Sequence, residues 1–246
     1  MITHVSFDVW NTLIKPNPEF ALARTKLIAL ALNLDEAYVK KAYTHVKRVV
    51  DGMAEREGQA YSTEEVYKLL FSSMCINVSP ALAKEIRLTV DELFRCLPPT
   101  IGYGVREMLD WLTRRRITTS IGSNSNYISG SVMLPWIESA VSHQFTFSLF
   151  SDLELTAKPS KEFFELLYDS VNNDRYPETS QFPVQDPKQI LHVGDNEICD
   201  VVGAQRCGMH GLLIVNPDTV AEQVKLRAEV ENDYNLSFDH QLINTR

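Results

Sequence analysis

Residues 4–14, HVSFDVWNTLI, decide the fold of this protein because they place a carboxylate where a short strand ends. Val5 and Phe7, separated by a small polar residue, predict the strand, and Asn11 predicts the turn that follows. Asp8 lies at the carboxyl end of this strand, which is the edge of an open α/β sheet where ligands bind. Asp is also a common turn residue, so this stretch alone leaves a ligand site and an ordinary turn as alternatives.

Three more polar sites follow along the chain, each beside an apolar run or a helical pattern. Strand and helix patterns alternate around them, which predicts an α/β fold with a doubly wound parallel sheet. The sites are Ser123 with Asn124 after the run 117–122, Lys158 before a helical pattern, and Asp195 with Asp200 after the run 190–193.

Together with Asp8, these sites resemble the ordered motifs of the haloacid dehalogenase-like hydrolase superfamily. That family has a nucleophilic Asp after its first strand, Ser or Thr after the second, a Lys, and an acidic pair written GD-x4-D, here GDNEICD. The resemblance covers nearly the whole chain and implies a Rossmann-like core with hydrolase chemistry. By this resemblance the catalytic residues are Asp8, Ser123 and Lys158.

The resemblance also implies a Mg²⁺ site. A carboxylate that attacks phosphorus forms an aspartyl phosphate, and a divalent cation between the two anions removes their repulsion. Mg²⁺ takes oxygen ligands from one or two carboxylates and from the substrate phosphate. By the resemblance, its ligands are Asp8, the backbone carbonyl of Trp10 and Asp195, with Asp200 supporting the arrangement from nearby.

Three residues are expected to bind the phosphoryl group, again by the resemblance. Lys158 balances the charge of Asp8 and binds one phosphoryl oxygen, while the Ser123 hydroxyl and the Asn124 backbone donate to another. Taken singly, a Lys before Pro is usually solvated and a Ser at a strand end is usually a turn or cap residue. Their order in the chain favours the catalytic interpretation.

Trp10 departs from the family pattern. Phosphatases of this family usually carry a second Asp here, which protonates the leaving oxygen and then activates water. A positioned acid or base of this kind is worth roughly 10²–10⁴ in rate, and an indole N–H can only donate. The position of Trp10 therefore leaves the level of any phosphatase activity open.

Three functions follow from these motifs. The first is a Mg²⁺-dependent phosphatase for a small phosphorylated metabolite, with a good leaving group or a substitute acid. The second is a 2-haloacid dehalogenase-type hydrolase, which needs no leaving-group proton but has little use for Asp195 as a cation ligand. The third is a weak or non-enzymatic binding protein in which Trp10 plugs the crevice.

Residues 16–97 contain several helical patterns and almost no strand pattern. Four helices fit best, and Pro98 and Pro99 return the chain to the core. The segment resembles the helical cap of many family members, so the predicted domains are a core of residues 1–15 and 98–246 and a cap of residues 16–97. A scaffold without substrate contact is the alternative. Four polar side chains have no predicted orientation: Arg24, Lys26, Tyr43 and His45.

The rest of the core is predicted from periodicity and breakers. A short helix from Ile128 is expected to end or kink at Pro135, and residues 172–188 form a polar surface excursion. Residues 231–246 receive no assignment. The remaining predicted elements are helices over 104–115, 160–171 and 198–207 and strands over 117–122, 145–150, 190–193 and 212–215.

Composition narrows the classes of function. The chain has 246 residues, 44% of them hydrophobic, which suits one core with an insert. A formal net charge of −8 argues against a general nucleic-acid or anionic-membrane binder. No signal-peptide pattern and no long apolar run are present, so a cytoplasmic location is expected. The four cysteines lack paired spacing, which predicts reduced, mainly buried thiols; oligomeric state is undecided.

Overall fold

A computed structural model of the protein describes residues 1–172, 184 and 186–229. Within these residues the strands are β1 (His4–Phe7), β2 (Ile14–Lys15), β3 (Thr100–Ile101), β4 (Thr118–Ser123), β5 (Phe147–Phe150), β6 (Ile190–Gly194) and β7 (His210–Leu213). The helices are α1 (Pro18–Leu32), α2 (Glu36–Glu57), α3 (Thr63–Ser73), α4 (Pro80–Cys96), α5 (Val105–Arg114), α6 (Gly130–Val141), α7 (Ser151–Glu154) and α8 (Lys161–Val171). A π-helical segment, Glu197–Val202, continues into the turn Gly203–Arg206; together they form α9, and residues 220–229 are also helical.

The central sheet confirms the predicted doubly wound architecture. In the described chain it has five parallel strands in the order β5-β4-β1-β6-β7. β1 lies in the middle, with Val5 paired to Thr119 on one side and to Leu191 on the other. Because the strands are parallel, the carboxyl ends of β1, β4 and β6 meet at one edge of the sheet.

Helices cover both faces of this sheet. Val5 and Phe7 point into the core beneath α5 and α6, and this core continues into the helices of residues 18–96. The opposite face packs against α8 through Phe163, Phe164 and Leu167. Apolar burial on both faces explains why the strands of this parallel sheet are buried along their length.

The four helices α1–α4 form one segment, residues 18–96, which we call the helical insert. Each begins at a residue whose side chain accepts a bond from a backbone amide, as good helix caps do. The chain enters and leaves the insert through the two-stranded antiparallel ribbon of β2 and β3, in which Ile14 pairs with Ile101. The four N-caps are Asn17, Asp35, Ser62 and Ser79.

The prediction that Pro135 ends or kinks a short helix is wrong as to its end, because α6 runs through this proline to Val141. Ile137 and Val141, both beyond the proline, are buried. Burying two such side chains stabilises by about 3–6 kcal/mol, which offsets the roughly 3 kcal/mol that an interior proline costs. The predicted last strand also shifts: β7 ends at Leu213, and Val215 is 88% exposed.

All four cysteines are free, but Cys75 and Cys96 are exposed, so the prediction of mainly buried thiols is wrong for those two. The predicted excursion 172–188 lies mostly outside the described residues, and residues 231–246 lie wholly outside them. None of the described helices combines the length and apolarity that crossing a bilayer requires.

Candidate active site

The predicted site residues converge on the edge of the sheet where β1, β4 and β6 end. Asp8 follows β1 and donates its backbone N–H to the Val193 carbonyl at 2.8 Å, which ties it to β6. Ser123 is the last residue of β4, and Asp195 follows β6 directly. Asp8 and Asp195 border a cleft of about 420 Å³ whose opposite wall is built by α1, α2 and α4 of the helical insert, and Ser123 is buried beside Asp8.

Asp8 is held by two donors. The Ser123 hydroxyl donates to Asp8 Oδ1 at 2.9 Å, and Lys158 Nζ donates to the same oxygen at 2.9 Å. Lys158 also donates to Asp200 Oδ1 at 2.6 Å, and its side chain is only 1% exposed. None of the described residues donates to Asp8 Oδ2, so this oxygen of the carboxylate remains free to bind a ligand.

Asn124 positions Lys158 through its side chain. Asn124 Nδ2 donates to the Lys158 carbonyl at 2.9 Å, and the Lys158 N–H donates to Asn124 Oδ1 at 2.9 Å. This reciprocal pair joins the end of β4 to the loop before α8. The sequence predicted only a backbone role for Asn124, and no local pattern could have shown its side-chain partner.

The two acidic residues after β6 differ in their surroundings. Asp195 is exposed, and its Oδ2 accepts a bond from Asn11 Nδ2 at 3.0 Å. Asp200 is buried: its Oδ1 accepts from Lys158 and lies 3.2 Å from His192 Nε2, and its Oδ2 accepts from a backbone N–H at 2.9 Å. Both oxygens of Asp200 are therefore engaged, whereas Asp195 keeps one oxygen without a partner among the described residues.

Gly194 makes this arrangement possible. A Cβ at this position would lie 2.1 Å from the carboxyl carbon of Asp200, far inside van der Waals contact. Only glycine lets the buried carboxylate approach the end of β6 so closely.

The donor set fits a hard divalent cation. One carboxylate oxygen from each of Asp8, Asp195 and Asp200 lies within 4.8 Å of the other two. Mg²⁺ prefers such oxygen ligands. The free oxygens belong to Asp8 and Asp195, so these two side chains could ligate the ion directly. In the turn that follows Asp8, several backbone N–H groups donate to the Val9 carbonyl rather than to the carbonyl of Trp10.

The charges in the site are coupled. Burial raises the pKa of Asp8, and the Asp200 and Asp195 carboxylates raise it further, while Lys158 lowers it. Burial also acts to raise the pKa of Asp200, but the Lys158 charge and the bond from His192 outweigh it and lower that pKa. The pKa of Lys158 is raised, because the Asp200 and Asp8 charges outweigh the effect of burial. Lys158 and Asp200 therefore favour their charged forms. A cation near Asp8 would favour the ionised form of that carboxylate.

Trp10 lies on the wall of the cleft. Its ring is half-buried and meets the Phe94 ring of α4 edge to face, with centroids 6.5 Å apart and planes at 74°. The cleft stays open beside it, so the indole does not fill the crevice.

The structure also orients the four polar side chains of the insert. Arg24 and Tyr43 line the cleft, whereas Lys26 and His45 are exposed and do not border it. Sequence reasoning missed Asn11 and His192, the partners of Asp195 and Asp200. His192 had one available signal, since it interrupts the apolar run that leads into the acidic motif.

The model of the haloacid dehalogenase-like hydrolase family matches residues 2–208. The chain belongs to this hydrolase family. Asp8, Ser123, Lys158 and the acidic pair all lie within the matched residues. Among curated proteins, none matches the sequence of this hydrolase.

Solved structures share the fold of this hydrolase at low identity. The magnesium-bound hydrolase YfnB from Bacillus subtilis is 15% identical, with a TM-score of 0.58 and coverage of 87% of this chain and 89% of that one. A predicted phosphoglycolate phosphatase from Haemophilus somnus is 17% identical, with a TM-score of 0.56 and coverage of 90% and 92%. L-2-haloacid dehalogenase from Xanthobacter autotrophicus, with chloropropionic acid covalently bound, is 14% identical, with a TM-score of 0.55 and coverage of 87% and 78%.

Proposed function

We propose that this hydrolase is a Mg²⁺-dependent phosphatase that acts on a small phosphorylated metabolite through an aspartyl phosphate on Asp8. One observation carries the proposal: the three carboxylates of Asp8, Asp195 and Asp200 gather within 4.8 Å beside a buried lysine. A dehalogenase would have little use for Asp195 as a cation ligand. The magnesium-bound Bacillus subtilis hydrolase of the same fold is consistent with it.

Asp8 is the nucleophile in this proposal. Asp8 Oδ1 attacks phosphorus, the bond between phosphorus and the ester oxygen breaks, and water later hydrolyses the aspartyl phosphate to release phosphate and restore Asp8. Ser123 and Lys158 orient this oxygen, which leaves Oδ2 to bind the cation. Lys158, the Ser123 hydroxyl and the Asn124 backbone then bind the phosphoryl oxygens.

Asp8, the Trp10 carbonyl and Asp195 would hold Mg²⁺, and Asp200 would support the site by holding Lys158. When bound, the ion neutralises the repulsion between carboxylate and phosphate. The side chain of Trp10 does not affect ligation by its backbone carbonyl. The replacement of the second Asp is therefore compatible with a metal site.

We assign the helical insert as a cap, with residues 16–97 as the cap domain and residues 1–15 and 98–246 as the core. Two features support this division. The ribbon of β2 and β3 joins the two parts, and α1, α2 and α4 line the cleft above Asp8. A cap in this place excludes water from the reaction and contacts the part of the substrate that leaves.

Because residue 10 is Trp, another residue has to donate the proton that the leaving group takes up. Two carboxylates of α2 line the cleft, Asp51 and Glu55. Asp51 pairs with Lys47 and accepts a bond from Asn126 at 2.7 Å, whereas Glu55 has no hydrogen bond or ion pair in the described chain. Glu55 is therefore the available substitute acid. Substrates whose leaving groups depart as stable anions need no such acid and should react fastest.

Turnover of acetyl phosphate and p-nitrophenyl phosphate tests the function. We expect phosphate release that requires Mg²⁺ and disappears in Asp8→Asn, because the amide cannot attack phosphorus. Glu55→Gln should slow alkyl phosphates more than p-nitrophenyl phosphate, which leaves without a proton. If the wild-type protein releases no phosphate from any member of a metabolite phosphate panel, the phosphatase assignment is wrong.

A 2-haloacid dehalogenase is the second candidate, and Trp10 is the observation that favours it. Carbon–halogen cleavage needs no proton on the leaving group, so the missing Asp would cost nothing. Release of halide from a 2-haloacid without added metal would establish this activity in place of the phosphatase. If neither assay shows turnover, a binding role remains the third candidate.

A further inference from the structure

Arg24 is a cation of α1 that lines the cleft. Its guanidinium carbon lies 3.6 Å from the centre of the Tyr43 ring and 5.4 Å from the centre of the Phe20 ring. The flat group is therefore held between aromatic faces, which limits its rotamers. A guanidinium held this way keeps its N–H edge directed to the side, where it can meet a ligand.

The charge of Arg24 has no acidic partner. In residues 1–172, 184 and 186–229 it makes no hydrogen bond and no ion pair, and its Nε is buried without an acceptor. Lys47, the cation that α2 contributes to the cleft wall, pairs with Asp51 of its own helix. A buried donor without a partner is unfavourable, and an anionic ligand beside the guanidinium would give this charge a partner.

The space between Asp8 and Arg24 is bordered by aromatic rings. Trp10 and Phe94 lie on its wall at 6.5 Å from each other, and the Phe20 ring stands 6.0 Å from that of Phe94. Such a wall favours a flat or apolar body over a hydrated sugar. The cleft of about 420 Å³ equals about 14 water volumes of about 30 Å³ each, enough for a phosphoryl group and a small organic body.

We infer that the substrate carries a second anionic group on its leaving portion and that Arg24 binds this group. The inference rests on the proposed function, since it takes the end of the substrate at Asp8 and Lys158 to be the phosphoryl group. The substrate is then a phosphate ester whose apolar body lies against Trp10 and Phe94 and whose far end carries the second anion. A carboxylate or a second phosphoryl group would satisfy the same guanidinium edge.

Binding of unreactive phosphonates tests this without relying on turnover. Three ligands share one benzyl body: benzylphosphonate, 4-(phosphonomethyl)benzoate and 1,4-xylylene bisphosphonate. Calorimetry in the presence of Mg²⁺ should show at least one of the two doubly anionic ligands binding the wild-type protein roughly tenfold or more tightly than benzylphosphonate. The tighter of the two identifies the second anion as a carboxylate or a phosphoryl group.

Variants on α1 assign the preference to Arg24. Arg24→Met should bring the three affinities to within about twofold of one another, and Arg24→Lys, which keeps the charge but loses the planar fork, should retain part of the difference. Lys26→Met is the matched control, because Lys26 is exposed on the same helix outside the cleft. The control variant should keep the full preference of the wild-type protein.

The outcomes separate this inference from the proposed function. Equal affinity of the wild-type protein for all three ligands, no binding of any, or an unchanged preference in Arg24→Met would overturn the role of Arg24. A preference that depends on Arg24 in a protein that releases no phosphate would keep the anion site and refute the phosphatase.

Discussion

At the scale of single residues, Trp10 stands where the motif resemblance leads us to expect a proton-donating Asp. Its ring packs against Phe94 and lines the cleft. In the proposed phosphatase, the ring therefore gives an apolar contact to the helical insert in place of a proton donor.

We expect Trp10→Asp to raise phosphatase turnover roughly tenfold or more, because a positioned acid is worth about 10²–10⁴ and the new side chain starts without an optimised setting. The same change should lower the melting temperature, since it removes the contact with Phe94. Steady-state kinetics on p-nitrophenyl and alkyl phosphates measure the first effect. Trp10→Ala is the control, and an equal rise in that variant would show that space, not proton transfer, limits the rate.

Lys158 is the second residue on which the site depends. Its ammonium lies between the Asp8 and Asp200 carboxylates in a place that water does not reach. Removing one partner of a buried ion pair leaves an uncompensated charge. In the proposed phosphatase, Lys158 is therefore a structural residue as well as a phosphate ligand.

Lys158→Met should therefore lower the free energy of unfolding of the metal-free protein by about 3 kcal/mol or more. The control is Lys161→Met, because Lys161 forms a solvent-exposed pair with Glu165 that should contribute little to stability. Urea unfolding monitored by circular dichroism measures both. If the two variants lose the same stability, the ion pair at Lys158 contributes no more than a surface contact.

At the scale of elements, β1 carries a buried polar side as well as its apolar one. His4 lies on this side, 2.8 Å from Thr118 Oγ1 and 2.8 Å from Ser120 Oγ. Burial, helped by the neighbouring His192, lowers the pKa of His4 to about 3. The imidazole is therefore neutral in the folded protein at any pH near neutrality.

This shift predicts acid sensitivity. Below an ordinary histidine pKa of about 6.5 the unfolded chain binds a proton at His4 and the folded chain does not, so stability falls as pH drops from about 6.5 towards 3. Between pH 7 and pH 5, His4→Gln should lose about 2 kcal/mol less unfolding free energy than the wild-type protein. Urea unfolding across this pH range measures the slopes. His45→Gln, at an exposed position on α2, should keep the wild-type slope, and a wild-type slope in His4→Gln would contradict the assignment.

At the scale of the whole molecule, the cleft lies between the ends of the sheet strands and the helical insert, and polar and aromatic contacts join the two beside it. Asn126, in the loop after β4, donates to Asp51 of α2 at 2.7 Å. The Tyr127 ring stacks on that of Tyr43 with centroids 3.9 Å apart. These contacts hold the helical insert over the strand ends, so a ligand in the cleft binds both parts together.

A ligand that binds only the folded protein stabilises it by mass action. Mg²⁺ with orthovanadate, an analogue of the phosphoryl group in transfer, should raise the melting temperature by about 5–10 °C when vanadate is at about 100 times its dissociation constant. Neither component alone should reach this shift. Differential scanning fluorimetry measures it, and an equal shift in Asp8→Asn would place the vanadate outside the proposed site.

Much of the fold could be predicted because its signals are local. The runs that became β1, β4 and β6 are short and apolar and end at polar residues, and residues 16–97 form four helices as their pattern predicted. Pro135 was misread because a local breaker was weighed without the burial of Ile137 and Val141. The orientation of Arg24 and Lys26 was not predictable, because a helix in isolation does not show which of its faces meets the sheet.

The sequence by itself determined the order of strands and helices and the residues at the strand ends, since apolar periodicity, caps and breakers act over a few neighbouring positions. The tertiary structure decided which of these residues share one hydrogen-bond network. Asp8, Lys158 and Asp200 are far apart in the chain, and their contacts at 2.9 and 2.6 Å depend on the packing of the sheet and of α9. Packing also decided that Arg24 meets the cleft without a partner, because pairing between distant side chains depends on distances that no local pattern encodes.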